Sequence, residues 1–460
     1  MKYIFFLLIV LFFTSCASKE AVTLEKKKEV KKQEKAQEQE LKSKKEKKKN
    51  IEISDLVKIP QNVEFFAKEL SSKVKMYEIQ QKYENYYFSV WNDKKPREKL
   101  EDVKWPFTSY KVGSSYGENL KPLEQKFFDE MYEKANFEKY GTANLNAITL
   151  RHVNIRAFPT DKPLFKDPDI AGEGFPFDYL QNSTLSANKP LFVSHYSKDR
   201  EWVYAFSSFA SGWIKSSEIV FLKKEHTDAW QKAQQIFFIK EGEPIYTKKS
   251  TFLFSSKIGM MLALISEDEN NFIALAISSY KNSTPMFERV KISKKIATKE
   301  PLKLDKDSLT NVINEVAKSN YGWGGMYGQR DCSSTLRDIY APFGIWLPRN
   351  SSQQAKVGKI VSLDKFSDEE KIANIKKYAI PFQTLLYKKG HIVLYVGTFD
   401  EEIIVLHNTW GVKIKKDDTE GRVVIGKTIF STLRLGENLE NYDKDGEILR
   451  NLESMNIITQ

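Results

Sequence analysis

The sequence predicts an α+β chain of several domains: a helical N-terminal region, one or two small β-barrels, and a C-terminal domain mixing helices with strands. Three observations predict it. Apolar residues between Asp55 and Phe137 recur at three- and four-residue spacing, those from Ala147 to about Lys294 fall in short alternating runs, and beyond Ser308 the two textures alternate. With 460 residues, the chain has room for about three domains.

Met1 and Lys2 precede the apolar run Ile4 to Phe13, and Thr14, Ser15 and Cys16 follow: a charged start, a short apolar stretch and small residues at a cut site. Such a run is too short to span a bilayer. The order apolar, Thr, Ser, Cys resembles the lipobox of bacterial lipoproteins, with Phe13 where Leu is usual. The resemblance implies removal of 1–15, a lipid on Cys16 and a protein anchored in the cell envelope; Ala17 and Ser18 imply the periplasmic face of the outer membrane if the organism has two membranes. The alternative is an ordinary export signal, and on either reading the chain leaves the cytoplasm. Residues 16–53 are dominated by Lys, Glu and Gln, carry no apolar stripe, and read as a tether. Residues 1–50 hold 14 Lys and 7 Glu, hence +7 of the formal +11, so the remainder is only mildly basic and nucleic acid is not an expected partner.

Over 54–140, Val63, Phe65, Phe66, Leu70 and Val74, then Leu123, Phe127, Phe128, Met131 and Tyr132, follow helical spacing. Trp91, Trp105 and Phe107 lie between them in a segment broken by Pro96 and Pro106. Over 146–222 the runs at 153–156, 191–194 and 202–205 have the spacing of a small β-barrel. Over 223–298 further short strands, at 236–239, 260–264 and 272–276, predict a second barrel without residue-by-residue repetition of the first.

Residues 300–445 carry the chemistry. After a helix near 308–317 comes the glycine loop Tyr321-Gly322-Trp323-Gly324-Gly325, then Arg330-Asp331-Cys332-Ser333-Ser334-Thr335, whose Ser/Thr-rich start before Leu336 and Ile339 opens a second helix. Cys332 therefore falls at a helix N-terminus, where free N–H groups and the macrodipole favour a thiolate. It is one of two cysteines, and with Cys16 lipidated it has no partner. Its bland alternative is a small buried apolar residue. His391 opens the strand 391–396, and His407 ends the next strand at 403–407, so the two meet on a hairpin. Imidazole can take a thiol proton near neutral pH and return it to a leaving amine. His391 is the candidate base and His407 the group that fixes its tautomer, with Asn408 as the fallback. The chain shows neither the ligand spacing of a zinc site nor a phosphate loop, so no metal or cofactor is expected.

Asn154-Ile155-Arg156-Ala157-Phe158-Pro159, Gly174-Phe175-Pro176-Phe177-Asp178-Tyr179 and Ser211-Gly212-Trp213-Ile214 resemble a bacterial SH3-like domain. Asp331-Cys332-Ser333 opening a helix, Gly390-His391 opening a strand, His407, the loop from Tyr321, and Pro348-Arg349-Asn350-Ser351-Ser352-Gln353-Gln354 resemble the NlpC/P60 cysteine peptidases. That resemblance implies a papain-like catalytic domain and cleavage of peptidoglycan stem peptides between γ-linked D-glutamate and a diamino acid by a monomeric enzyme. It further implies Asp331 on the substrate's free α-amino group, Ser333 and Tyr321 lining the pocket, the Cys332 backbone N–H in the oxyanion hole, and Arg349 and Gln354 as structural residues. Ser334 stands where many relatives carry Gly. Two alternatives stay open: a non-catalytic peptidoglycan-binding lipoprotein, and an amidase or acyltransferase acting on another envelope substrate.

Overall fold

The computed structural model describes residues 52–460 apart from 69, 71–75, 283 and 418. The leader, Cys16, all but the last two residues of the tether, and Val74 lie outside the described residues.

The helical region runs through α1 (Ser54–Lys58), α2 (Val63–Phe66), α3 (Met76–Phe88), α4 (Leu100–Val103), α5 (Trp105–Ser109) and α6 (Gln125–Ala135). Pro106 begins a helix here: it sits in the first turn of α5, where its missing N–H has no intrahelical partner to lose. Helix α6 stops at Asn136, which adopts the left-handed conformation tolerated by a short polar side chain.

The first β unit contains β1 (Leu145–Thr149), β2 (Val153–Arg156), β3 (Gln181–Leu185), β4 (Pro190–Tyr196), β5 (Trp202–Phe206), β6 (Ser211–Lys215) and β7 (Ile219–Phe221), in the order β3-β2-β6-β5-β4-β1-β7. All five residues of β5 are buried. Val203 and Ala205 join one core with Val153, Ile155, Leu191 and Ile214. Trp202, Tyr204 and Phe206 belong to another that includes Tyr87, Phe88 and Trp91 of the helical region. A strand covered on both faces needs apolar residues in succession, which is why β5 reads as a continuous run. The Trp91 indole N–H seals the junction by donating to the Ala147 carbonyl at 2.9 Å.

Helix α7 (Lys224–Lys232) leads into the second β unit: β8 (Gln235–Phe238), the ribbon β9 (Pro244–Tyr246) and β10 (Phe252–Ser255), then β11 (Met261–Glu267), β12 (Asn271–Lys281), β13 (Thr284–Ser293) and β14 (Ala297–Thr298). Its main sheet has the order β13-β12-β11-β8-β14.

The last domain has α8 (Lys306–Val316), α9 (Cys332–Tyr340), α10 (Ser351–Gln354), β15 (Lys359–Ser362), α11 (Asp368–Tyr378), β16 (Thr384–Lys388), β17 (His391–Phe399), β18 (Glu402–Lys416), β19 (Thr419–Thr432) and β20 (Leu452–Ile457). Its sheet has the order β15-β20-β16-β17-β18-β19. One face packs on α8 and α9 through Leu309, Ile313, Leu336 and Ile339, and the other packs on Ile375 of α11. The domain therefore extends past the sequence-predicted limit at 445, because β20 is an interior strand. Asn456, fully buried in β20, donates its amide to the Gln354 and Val357 carbonyls. A buried Asn in so short a segment interrupts the apolar alternation by which a strand is recognised.

Candidate active site

Helix α9 starts where the sequence predicts. Asp331 is its N-cap, accepting from the Ser334 N–H at 2.9 Å, and the Ser334 hydroxyl accepts from the Asp331 N–H at 2.9 Å. This closes a capping box and places Cys332 in the first turn.

Cys332 is 9% exposed. The backbone N–H of Ile392, next to His391, donates toward the sulfur, but burial and then the Asp331 carboxylate push the thiol up to about 12. Burial and Lys388 draw the His391 imidazole down to about 3. Burial thus disfavours the charged form at both Cys332 and His391. Desolvation opposes the helix terminus, which favours the thiolate.

Strands β17 and β18 are antiparallel neighbours. His391 Nε2 lies 2.8 Å from His407 Nδ1, and His407 Nε2 lies 2.9 Å from Ser431 Oγ on β19. The Ser431 hydroxyl donates to the Thr432 carbonyl at 2.9 Å. Since that carbonyl can only accept, Ser431 Oγ is left to accept from His407 Nε2–H. His407 Nδ1 then accepts from His391 Nε2–H, and the lone pair of His391 is on Nδ1. Three hydrogen bonds thus specify a basic nitrogen. Ser431 was missed because a serine in a strand carries no signature of its own.

Asn408, the fallback orienter, points elsewhere: its amide donates to the Arg330 carbonyl at 3.0 Å and to Thr335 Oγ1 at 3.3 Å. Both oxygens of the Asp331 carboxylate accept hydrogen bonds. Arg349 Nη2 reaches Oδ2 at 2.5 Å, and Oδ1 takes Arg349 Nη1, the Ser333 hydroxyl and the Ser334 cap. Ser333 is 4% exposed and accepts from Arg349 Nη1 at 3.0 Å, while its carbonyl accepts from Gln354 Nε2 at 2.8 Å. Arg349 and Gln354 therefore brace the start of α9.

Tyr321 lines a groove of about 270 Å³ whose lining also includes His391 and His407. Its walls are aromatic: Trp410 lies 5.9 Å from Tyr321, and Phe177, from the first β unit, lies 5.4 Å from Trp323 and 5.5 Å from Trp410. Lys388 and Arg422 add positive charge to the lining. The glycine loop makes this arrangement possible. Gly324 and Gly325 have φ of +58° and +83°, and a Cβ there would stand 2.2 Å from the Gln181 carbonyl oxygen and 2.5 Å from Thr184 Oγ1. Only glycine lets the loop lie against β3.

The fold and site define a multidomain protein in which an α+β domain carrying cysteine and histidine follows two SH3-type β units. Family models match in that order: the NLPC_P60 stabilising domain, N term, at residues 5–140; an SH3 domain of SH3b1 type at 163–215; an SH3 domain of SH3b2 type at 226–269; and the NlpC/P60 family at 318–429. The chain thus carries an NlpC/P60 domain, preceded by two SH3 domains and an NLPC_P60 N-terminal stabilising domain. No curated protein gave a match. Among solved structures, an NlpC/P60 endopeptidase from Photobacterium damselae subsp. piscicida shares the fold over 87% of this chain and 98% of its own, with 23% identity and a TM-score of 0.75. An NlpC/P60 family protein from Bacillus cereus aligns over 61% of this chain and 82% of its own, with 16% identity and a TM-score of 0.43.

Proposed function

We propose that the chain is a peptidoglycan endopeptidase that cuts stem peptides at the bond between γ-D-glutamate and the diamino acid, with Cys332 as nucleophile and His391 as base. The observation that carries this reading is the directed chain Ser431–His407–His391, which supplies a basic Nδ1 at a groove in a domain matching the NlpC/P60 family.

In the proposed reaction the Cys332 proton passes to His391 Nδ1 as sulfur attacks the scissile carbonyl. His407 stabilises the imidazolium by accepting from Nε2–H, and the Cys332 backbone N–H contributes to holding the oxyanion. His391 then protonates the leaving amine, and water, deprotonated by His391, releases the acyl group from sulfur. Lys388 and Arg422 suit a substrate rich in carboxylates, and Tyr321 and Trp410 offer faces to its apolar parts. Asp331 and Ser333, bound to Arg349, serve this chemistry by fixing the first turn of α9.

Digesting purified sacculi and analysing the fragments by mass spectrometry tests the reading. The expected products are those of γ-D-glutamyl cleavage, absent with Cys332→Ala. Cleavage by Cys332→Ala at the wild-type rate, or bare glycan as the product, would overturn it. We also propose that Cys16 carries a lipid that anchors the protein in the cell envelope, at the periplasmic face of the outer membrane if the organism has two membranes; incorporation of labelled palmitate, lost with Cys16→Ala, is the expected result.

A further inference from the structure

A second cavity, of about 310 Å³, lies where both β units meet α9. It is lined by Lys189 beside β4, Lys257 from the second β unit, and Arg337 and Asp338 of α9, with His152 and Tyr327 also in its wall.

Its basic side chains outnumber the carboxylates that face them. Lys189 is 3% exposed, and its ammonium lies over the Tyr87 ring at 3.2 Å and the Phe209 ring at 5.2 Å. Among the described residues it has no hydrogen-bond acceptor. Arg337 directs Nε and Nη2 to Asp338 Oδ1 at 3.0 and 2.8 Å, but its Nη1 is buried without a partner. Lys257 makes one hydrogen bond, to the Gly328 carbonyl at 2.7 Å. Arg330, also in the lining, bonds to Asp338, Ser319 and Glu241. Lys189, Lys257, Arg330 and Arg337 thus face Asp338 and Glu241, four basic side chains against two carboxylates. Burial, then the neighbouring Arg337, pushes Lys189 well below the usual lysine range. His152 adds no charge: Nδ1 accepts from the Ala187 N–H at 3.1 Å, and Nε2 lies 2.9 Å from the Ser255 carbonyl.

We propose that this cavity is a binding site for a phosphate group, free or as a monoester, held by Lys189 Nζ, Lys257 Nζ and the Arg337 guanidinium. An anion in the cavity would favour the charged form of Lys189, which burial disfavours. A phosphate offers several acceptor oxygens to three separate donors, each through a charge-assisted hydrogen bond. The donors come from the first β unit, the second β unit and the helix that bears Cys332. A bound anion therefore ties all three together, and binding should appear as stabilisation of the whole protein. The inference stands on the cavity alone and is independent of the proposed peptidase activity.

The test measures thermal unfolding of the full chain against inorganic phosphate, glycerol 3-phosphate and sodium chloride at matched ionic strength. The expected result is a saturable rise in Tm with phosphate, absent with chloride, and weakened in affinity by about tenfold or more in Lys189→Met and in Arg337→Met. If Lys189→Met does not fold, Lys257→Gln, at a less buried position, should weaken affinity likewise. Glycerol 3-phosphate binding as well as phosphate points to an esterified ligand, and phosphate alone to the free ion; either supports the site. Equal stabilisation by chloride, no saturable effect, or an unchanged response in the folded variants would overturn it.

Discussion

At Cys332 two influences compete, and magnitude decides between them. A helix terminus contributes about 0.3–1 kcal/mol toward an exposed charge. Burial to 9% exposure, with the Asp331 carboxylate adjacent, acts the other way and pushes the thiol up to about 12. A raised thiol pKa means that the anion is scarce below that value and grows as pH rises toward it. Alkylation of Cys332 by iodoacetamide should therefore accelerate steadily from pH 7 to pH 10; a plateau over that range would mean a preformed thiolate–imidazolium pair. Ser431 offers a second test. Ser431→Ala removes the acceptor that orients His407, and kcat should fall about tenfold to a hundredfold with KM little changed, short of the ~10⁴ lost when a triad tautomer is inverted. Ser431→Thr retains the hydroxyl and should restore most of the rate, whereas an equal loss in both variants would assign Ser431 to packing. Cys332, His391 and His407 were legible because these residue types are few and their positions at element starts and ends are distinctive. Ser431 gains its meaning only once β19 lies beside β18.

Elements position these residues. Helix α9 is fixed at its start by the buried Arg349–Asp331 pair, and removing one partner of such a pair costs about 3–5 kcal/mol by stranding the other. Arg349→Met should lower Tm substantially and weaken activity in proportion to the protein unfolded; a variant of unchanged Tm would show that Asp331 is satisfied without it. Strand β19 is the edge of its sheet, and the helical region covers that edge. Gln61 donates to the Phe430 carbonyl at 2.8 Å and accepts from the Phe430 N–H at 2.9 Å. Asp55 accepts from the Thr432 N–H at 2.8 Å and its hydroxyl at 2.9 Å, and Phe66 stacks on Phe430 with centroids 5.0 Å apart. These contacts flank Ser431 on both sides. Asp55→Ala should destabilise the fold by about 1–3 kcal/mol through the donors it strands, and should lower kcat beyond what the loss of folded protein explains, measured at a temperature where the variant is fully folded. The helices were legible in outline from their spacing. Their docking to an edge strand some 370 residues away was not, since it rests on one glutamine and one aspartate that look like ordinary surface residues.

In the whole molecule the first β unit supplies part of the groove that holds the histidines. Phe177 reaches Trp323 and Trp410 across the domain boundary, and Gly324 and Gly325 permit the approach by presenting no Cβ to Gln181 and Thr184. The two β units and the last domain were readable from local texture, but their mutual placement was not, because glycines in a loop signal flexibility as readily as close contact. The arrangement makes the β unit a boundary of the proposed substrate site. Phe177→Ala removes an aromatic wall without touching Cys332, His391, His407 or Ser431. If that wall contributes to substrate binding, KM for a short stem peptide should rise by about tenfold, consistent with the ~1–3 kcal/mol typical of a lost apolar contact in a pocket, while kcat holds. Cross-linked muropeptides, which need a wider groove, should lose less efficiency than the short peptide or gain some. Comparing kcat and KM on both substrates separates this from mere loosening of the interface, which would lower Tm and depress both substrates alike. Equal losses on the two substrates at unchanged Tm would mean that Phe177 does not select between them, and that the first β unit limits access without discriminating by size.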